Sequence, residues 1–211
     1  MYPPEVGWDG ERIMSELPSV DTSLEVNARD AAHVLVVDDE PDVADLYADF
    51  LPETYTVEVA HGGREALQMM SEAVDVVLLD RRMPDLSGDE VLERIREDGY
   101  QCRVAMVTAV DPMEEIVEMP FDDYVIKPAD AEAIAATVDR LHLLRMFQQV
   151  YFALSSARVK RDVLEEEYDG TRLEASDQYD MLVRRIQALE RLIRSIEVVL
   201  EDDYDTTPKP E

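Results

Sequence analysis

Short apolar runs alternate with amphipathic segments between residues 33 and 144, and this alternation restricts the fold more than any other feature. The runs are HVLVV, YTVEVA, VDVVLLD, RVAMVTA and DYVIK. Strands that are apolar on both faces are typical of a parallel sheet covered by helices on both sides. The alternation therefore predicts an α/β domain with five strands.

The segments between these strands have helical patterns. Ser87 and Glu90 have the spacing of a capping box, which predicts that a helix opens after Ser87. Other helices are expected from Pro41, because proline suits a first helical turn, from about residue 63 and from about residue 129. The first of these should bury one apolar face, made of Val43, Leu46, Tyr47, Phe50 and Leu51.

The charge of the chain is strongly acidic. It has 49 acids against 20 bases, a net charge of −29, and its few lysines are Lys127, Lys160 and Lys209. Such a surface resembles that of proteins from salt-loving organisms and disfavours non-specific binding to nucleic acid. The single cysteine excludes an internal disulfide and a cysteine-built metal site. Because no apolar run could cross a membrane and the N-terminus does not resemble a signal peptide, we expect a cytoplasmic protein.

The pattern divides the chain into four segments. Residues 1–30 and 204–211 are expected to be disordered tails, residues 31–144 the α/β domain, and residues 145–203 an antiparallel helical hairpin or coiled coil with a turn at YDGTRLEASD. The apolar positions of the hairpin follow a three-four spacing that only Arg161 interrupts. In the first helix they are Phe147, Val150, Leu154, Ala157, Leu164 and Tyr168, and in the second helix they are Leu182, Ile186, Leu189, Ile193, Ile196 and Leu200.

Chemically distinctive residues stand at the carboxyl ends of the expected strands. They are Asp38 with Asp39, Asp80, Thr108 with Ala109, and Lys127 with Pro128. Ligands of an open parallel sheet bind at this edge, so we expect these residues to share one site. Clustered carboxylates repel one another, and a hard cation such as Mg²⁺ relieves the repulsion.

A metal, an ammonium and a hydroxyl around a carboxylate would suit in-line phosphoryl transfer. Lys127 offers the ammonium and Thr108 the hydroxyl. Asp80 is the best candidate nucleophile because it stands alone at its strand end, whereas Asp38 and Asp39 are better placed for the metal.

Four motifs, VLVVDDEP, VDVVLLDRRMPDLSG, VAMVTA and DDYVIKP, resemble in order and spacing the signatures of the response regulator receiver (CheY-like) domain. The family has a flavodoxin-like, doubly wound parallel sheet in the strand order 2-1-3-4-5. The resemblance implies that a partner histidine kinase phosphorylates Asp80. It further implies that Asp39, Asp80 and the main-chain carbonyl of Arg82 bind Mg²⁺, with Asp38 acting through water.

The resemblance also assigns the opposite side of the pocket. Thr108, Ala109 and Lys127 would bind the phosphoryl group, Tyr124 matches the aromatic switch residue of the family, and Pro128 is a candidate for a cis peptide bond. The path between Thr108 and Tyr124 is shorter than in typical receivers, which predicts a short or irregular helix there.

Two positions flanking the pocket influence how long the phosphoryl group survives in receivers. They are occupied here by Arg82 and Val110, which offer no carboxylate or amide to orient a hydrolytic water. We therefore expect slow self-dephosphorylation.

The segment after residue 145 resembles the HalX domain, a helical extension found on receivers of halophilic archaea. The resemblance lies in YFALSSARVKRDVLE, SDQYDML and the heptad helix that follows. It implies a signal relayed through these helices, with transcription as an output by analogy, and a homodimer could form through them. No recognisable helix-turn-helix, zinc-finger or wing motif supports DNA binding.

Two functions of other classes remain as alternatives. An aspartyl phosphatase would use Asp38 as nucleophile and Glu40 as acid-base, but Pro41 follows and no cap domain is evident. An inert receiver-fold adaptor would act only by coiled-coil recruitment, although the pocket residues are intact. Acceptance of a phosphoryl group without enzymatic turnover is the favoured interpretation.

We predict that the protein loses structure below about molar salt, because repulsion between acids is then no longer screened. Circular dichroism during stepwise dialysis from high to low KCl measures this loss. A fully folded protein in dilute buffer would contradict the prediction.

Overall fold

The computed structural model describes residues 32–109 and 119–206. The chain divides into two compact units, one comprising Ala31–Arg145 and the other containing Met146–Glu211. The tail expected at residues 1–30 lies outside the described residues, as do residues 207–211 of the second expected tail. The helix expected between Thr108 and Tyr124 falls largely on residues 110–118, which are also outside the described part.

The first unit contains a parallel sheet. Its strands are β1 (His33–Val37), β2 (Thr56–Ala60), β3 (Val76–Leu79), β4 (Arg103–Thr108) and β5 (Asp123–Ile126). Their order is β2-β1-β3-β4-β5, and all neighbours are parallel, which confirms the predicted topology. Val37 pairs with Leu79 in the register of β1 and β3, so the residues that follow these two strands leave the sheet side by side.

The described helices are α1 (Pro41–Asp49), α2 (Gly63–Met69), α3 (Gly88–Glu97), α4 (Ala131–Glu167), α5 (Gly170–Glu174) and α6 (Asp177–Thr206). The boundary between the two units falls inside α4. Helix α6 ends at Thr206, three residues beyond the predicted end of the hairpin at residue 203. None of the described helices is long and apolar enough to span a bilayer.

The predicted capping box at the start of α3 is confirmed. The Ser87 hydroxyl accepts a hydrogen bond from the Glu90 amide at 3.3 Å, and the Glu90 carboxylate accepts one from the Ser87 amide at 2.9 Å. Two amides that the helix itself leaves unbonded are thereby satisfied. The N-terminus of α3 is fixed at a defined position after the β3 loop.

Alternate residues of the central strands supply two separate cores, as the pleat of a strand requires. Leu35, Val77 and Met106 pack with α2 and α3, whereas Val36, Leu78 and Val107 pack with α1 and the first turns of α4. The predicted apolar face of α1 is wrong at one position, since Leu46 is 47% exposed. The buried residues of α1 are instead Ala44 and Tyr47, and Leu51, which follows the helix, is also buried.

An arginine and aspartate network fixes the start of β5. Asp122 accepts hydrogen bonds from the Val104 amide at 2.8 Å, from Arg96 at 2.8 Å and from Arg103 at 2.6 Å. Arg96, near the end of α3, also donates to the main-chain carbonyl of Cys102 at 2.8 Å. The network connects α3 to the β4 and β5 side of the sheet, so the residues before β5 are held in place.

The second unit is the helical hairpin that the apolar spacing predicts. Arg158 on α4 pairs with Glu190 on α6 at 2.7 Å, and Glu165, further along α4, accepts from Tyr179, which lies earlier on α6. The contact that lies later in α4 lies earlier in α6, so the two helices pack antiparallel. The shared core contains Val150, Leu154, Ala157, Ile186, Leu189, Leu192 and Ile196.

Two details of the predicted hairpin are wrong. Tyr168, which the spacing predicts to lie in the apolar seam, is 39% exposed. The expected turn contains the short helix α5, because the Asp169 carboxylate caps it by accepting a hydrogen bond from the Arg172 amide at 3.0 Å.

Candidate functional site

Lys127 lies between two buried carboxylates at the carboxyl edge of the sheet. Its Nζ atom is 2.5 Å from Oδ2 of Asp38 and 2.7 Å from Oδ1 of Asp80. Asp38 is only 2% exposed and Asp80 only 6% exposed. Because these residues follow β1, β3 and β5, the strand order itself brings them together.

The remaining carboxylate oxygens are bonded to main-chain amides. Oδ1 of Asp38 accepts from the Glu40 amide at 3.0 Å, and Oδ2 of Asp80 accepts from the Arg82 amide at 2.7 Å. Burial acts to lower the pKa of the Lys127 ammonium, but its hydrogen bonds to the two aspartates outweigh this, so its pKa is raised. Lys127 is therefore charged throughout the neutral range.

Thr108 and Ala109 close the β4 side of the site. Thr108 is buried, and its main-chain carbonyl accepts a hydrogen bond from the Lys127 amide at 2.9 Å. Ala109 is exposed at the strand end. The Lys127-Pro128 peptide bond is cis. Val110, which sequence analysis placed at the flank of the pocket, lies outside the described residues.

The groups predicted to hold a magnesium ion are the Asp38, Asp39 and Asp80 carboxylates and the Arg82 carbonyl. Of these, the structure brings Asp38 and Asp80 together through Lys127, and Asp39 is partly buried. Among the described residues, no three His, Cys, Asp or Glu side chains form a group that could hold a metal. Mg²⁺ does not need such a cage, because it is usually bound by one or two carboxylates and retains several waters.

A close backbone contact that sequence analysis missed involves Gly88, the first residue of α3. A Cβ atom on Gly88 would lie 2.2 Å from the main-chain oxygen of Asp80 and 2.9 Å from Cα of Arg81. The Gly88 amide also donates to the Arg81 carbonyl at 2.9 Å. A glycine at the opening of a helix is the signal that could have revealed this approach, since glycine weakens helices elsewhere.

Arg81, directly after Asp80, makes a second set of contacts that was not predicted. Its Nε lies 3.0 Å from Oδ1 of Asp89, and a terminal guanidinium nitrogen lies 3.1 Å from Oδ2. The carboxylate of Asp89 and, to a lesser extent, Tyr124 raise the pKa of the Arg81 guanidinium, and the Tyr124 ring packs against Phe121 at 5.7 Å between centroids. The predicted aromatic switch residue thus lies near the loop that carries Asp80.

Comparison with known proteins gives two family matches. The response regulator receiver domain matches residues 34–139, and the HalX domain matches residues 148–206. A Haloferax volcanii protein, named for transcriptional regulation, is 45% identical over 185 residues. The match covers 81% of this chain but only 32% of that relative, so this chain spans about a third of its length.

A second relative and a solved structure match along most of their own length. The transcriptional regulatory protein CutR of Streptomyces coelicolor is 33% identical over 184 residues, which is 84% of each chain. The crystal structure of the signal receiver domain of a Luxo repressor protein from Vibrio parahaemolyticus has a TM-score of 0.51 and 27% identity, and the match covers 56% of this chain and 95% of that one.

We predict that Gly88→Ala destabilises the first unit by about 3 kcal/mol, because the added methyl group meets backbone atoms that cannot move aside. Urea unfolding at constant high salt measures the change. Gly170→Ala is the matched control, since a Cβ there has no neighbouring atom within 4 Å. Equal unfolding midpoints for the two variants would contradict the contact.

Proposed function

The chain belongs to the response regulator receiver family and carries a HalX domain of haloarchaeal type, and from this premise we propose that it is a switch that a histidine kinase phosphorylates on Asp80. The observation that supports this proposal most directly is the Lys127 ammonium held between Asp38 and Asp80. A buried carboxylate beside a fixed cation at a sheet edge is suited to accept a phosphoryl group.

In the proposed reaction, a carboxylate oxygen of Asp80 attacks the phosphorus of a phosphohistidine on the kinase. The new phosphorus–oxygen bond forms as the phosphorus–nitrogen bond breaks, and the electron pair of that bond stays on the imidazole nitrogen. Lys127 then exchanges its contact with the Asp80 oxygen for one with the phosphoryl oxygens, while it keeps Asp38. Thr108 and the Ala109 amide complete the phosphoryl contacts.

A magnesium ion would be held by Asp39, Asp80 and the Arg82 carbonyl, with Asp38 contributing through water. When bound, it supplies positive charge opposite the negatively charged oxygens of the transferring group. Without it, Lys127 is the counter-charge that contacts Asp38 and Asp80.

We predict that acetyl phosphate labels the wild-type chain and fails to label Asp80→Asn, because the amide nitrogen is not a nucleophile. Intact-mass spectrometry at high salt with Mg²⁺ measures the labelling. Asp85→Asn is the matched control, since it removes one acid from the same loop at an exposed position with φ of 66°, which asparagine tolerates.

Equal labelling of wild type and Asp80→Asn would overturn the assignment of the acceptor. The flanking Arg82 side chain is exposed and offers no group that would orient a hydrolytic water. The proposal therefore includes slow loss of the label once the phosphodonor is removed.

We further propose that the second unit forms the output contact and that its partner is a second copy of this chain. The longest interval without Asp or Glu in the whole sequence lies between Asp139 and Asp162. Within it, Phe152 and Val159 are 62% and 61% exposed and lie on one helical stripe, which we call the acid-free face. This stripe is separate from the buried seam of the hairpin.

The acid-free face is suited to an identical face rather than to nucleic acid. Arg158 is paired with Glu190 and Arg161 with Asp162, so the two arginines nearest the stripe are largely neutralised within the chain. Two chains with a net charge of −29 repel each other over most of their surfaces. Contact through the acid-free face keeps the acids of the two chains apart and so minimises that repulsion. High salt screens the repulsion that remains.

We predict that the wild-type chain is dimeric in molar KCl and that Phe152→Glu makes it monomeric, because the substitution places a charge in the apolar contact. Light scattering after gel filtration measures the mass. Met181→Glu, at another exposed apolar position, should leave the dimer intact. A monomeric wild type, or equal effects of both substitutions, would refute the face as a self-association surface.

A further inference from the structure

We propose that an exposed stripe of arginines on α6 is a docking surface for the acid-rich residues 1–30 of the same chain. The stripe, which we call the arginine face, consists of Arg184, Gln187, Arg191, Arg194 and Val198. This contact goes beyond phosphoryl transfer, because it involves neither Asp80 nor the parallel sheet. While docked, residues 1–30 keep other anionic partners away from these arginines.

The arginine face follows the helical repeat of α6. Its members recur at alternating intervals of three and four residues, so they lie along one side of the helix. The buried seam of the hairpin, which includes Ile186, Leu189 and Ile196, has the same repeat and lies on the opposite side. All three arginines are exposed, and Val198 is 59% exposed. The face is therefore open to a partner and does not belong to the hairpin core.

The charge of the arginine face is opposite to that of the chain as a whole. Between Asp180 and Glu197 the sequence has one acid, Glu190, and the Arg158 guanidinium of α4 pairs with it at 2.7 Å. Among the residues that the structure describes, no acid forms an ion pair with any of the three arginines of the face. In a chain with a net charge of −29, these guanidinium groups are a local site of attraction for carboxylates.

Residues 1–30 have the complementary composition. They contain seven acids against two bases, and residues 8–17, WDGERIMSEL, combine acids with apolar side chains. The carboxylates of this segment suit the arginines, and Trp8 offers an apolar surface to Val198. A segment with so many charges and so few apolar residues gains order by binding to a surface rather than by folding alone.

The segment is long enough to reach the arginine face. Thirty extended residues span up to about 100 Å, whereas a helix with the 30 residues of α6 is about 45 Å long. Covalent attachment gives the segment an effective concentration near the millimolar range, so several weak contacts suffice. At molar salt only groups in direct contact attract one another, a condition that hydrogen bonds between arginine and carboxylate meet.

The test uses the full chain at high KCl and the fluorescence of Trp8, which is the only tryptophan of the sequence. Quenching by acrylamide, which is uncharged, measures how far this side chain is exposed. N-acetyltryptophanamide in the same buffer provides the reference for full exposure. In the wild type we expect Trp8 to be quenched much less than this reference, because the docked segment covers it.

In Arg191→Glu we expect docking to weaken about tenfold, because an attraction to carboxylates becomes a repulsion. Quenching of Trp8 should then approach the reference. Arg64→Glu is the matched control, since it reverses an exposed arginine of α2 and changes the net charge equally. Adding Glu11→Arg and Glu16→Arg to Arg191→Glu should restore the protection of Trp8, because the contact then has the opposite polarity.

A fully quenched Trp8 in the wild type, or equal quenching in the wild type and Arg191→Glu, would overturn the inference. Protection that disappears on dilution would overturn docking within one chain and assign the contact to a second copy. If Trp8 is exposed and a short DNA duplex binds the wild type but not Arg191→Glu, the face belongs to nucleic acid instead. A circular dichroism spectrum of each variant separates loss of fold from release of the segment.

Discussion

The hydrogen-bonded contact of the Lys127 ammonium with Asp38 and Asp80 is the interaction on which the carboxyl edge of the receiver depends. Asp38 and Asp80 are buried and the Lys127 side chain is only 15% exposed, so each of these polar groups has lost most of its contact with water and needs a partner. Together they satisfy one another, with the Glu40 and Arg82 amides bonded to the remaining oxygens. The same arrangement joins the ends of β1, β3 and β5, so the geometry of the candidate acceptor depends on the packing of the sheet.

This interaction also explains how a specific charge site persists in a chain with a net charge of −29. Salt at molar concentration reduces the range of interactions between exposed charges to about 3 Å. Most surface acids then act only on their nearest neighbours. The contacts of Lys127, at 2.5 Å and 2.7 Å, lie inside that range and are shielded from solvent. High salt therefore weakens the repulsion between surface acids and leaves the contacts of Lys127 with Asp38 and Asp80 intact.

Features that depend on neighbouring residues could be predicted from the sequence, and features that depend on distant ones could not. The apolar runs and the spacing of Ser87 and Glu90 specify strands and a helix start locally. Helical periodicity alone could not show that Leu46 is exposed, because the neighbours of α1 decide which of two adjacent faces is buried. The contact of Arg96 with Asp122 joins α3 to the start of β5 through tertiary packing, which no sequence pattern encodes.

The loop from Asp80 to Gly88 combines functions that are usually considered separately. It carries the candidate acceptor, the carbonyl proposed for the metal, the guanidinium that pairs with Asp89 and the glycine at which α3 starts. Its far end is fixed by the capping box, and α3 is fixed in turn through Arg96 to Asp122. A loop held at both ends has little freedom to move towards α3. Under the proposed function, a phosphoryl group on Asp80 would therefore act mainly on the β4 and β5 side, where Thr108 and Tyr124 lie.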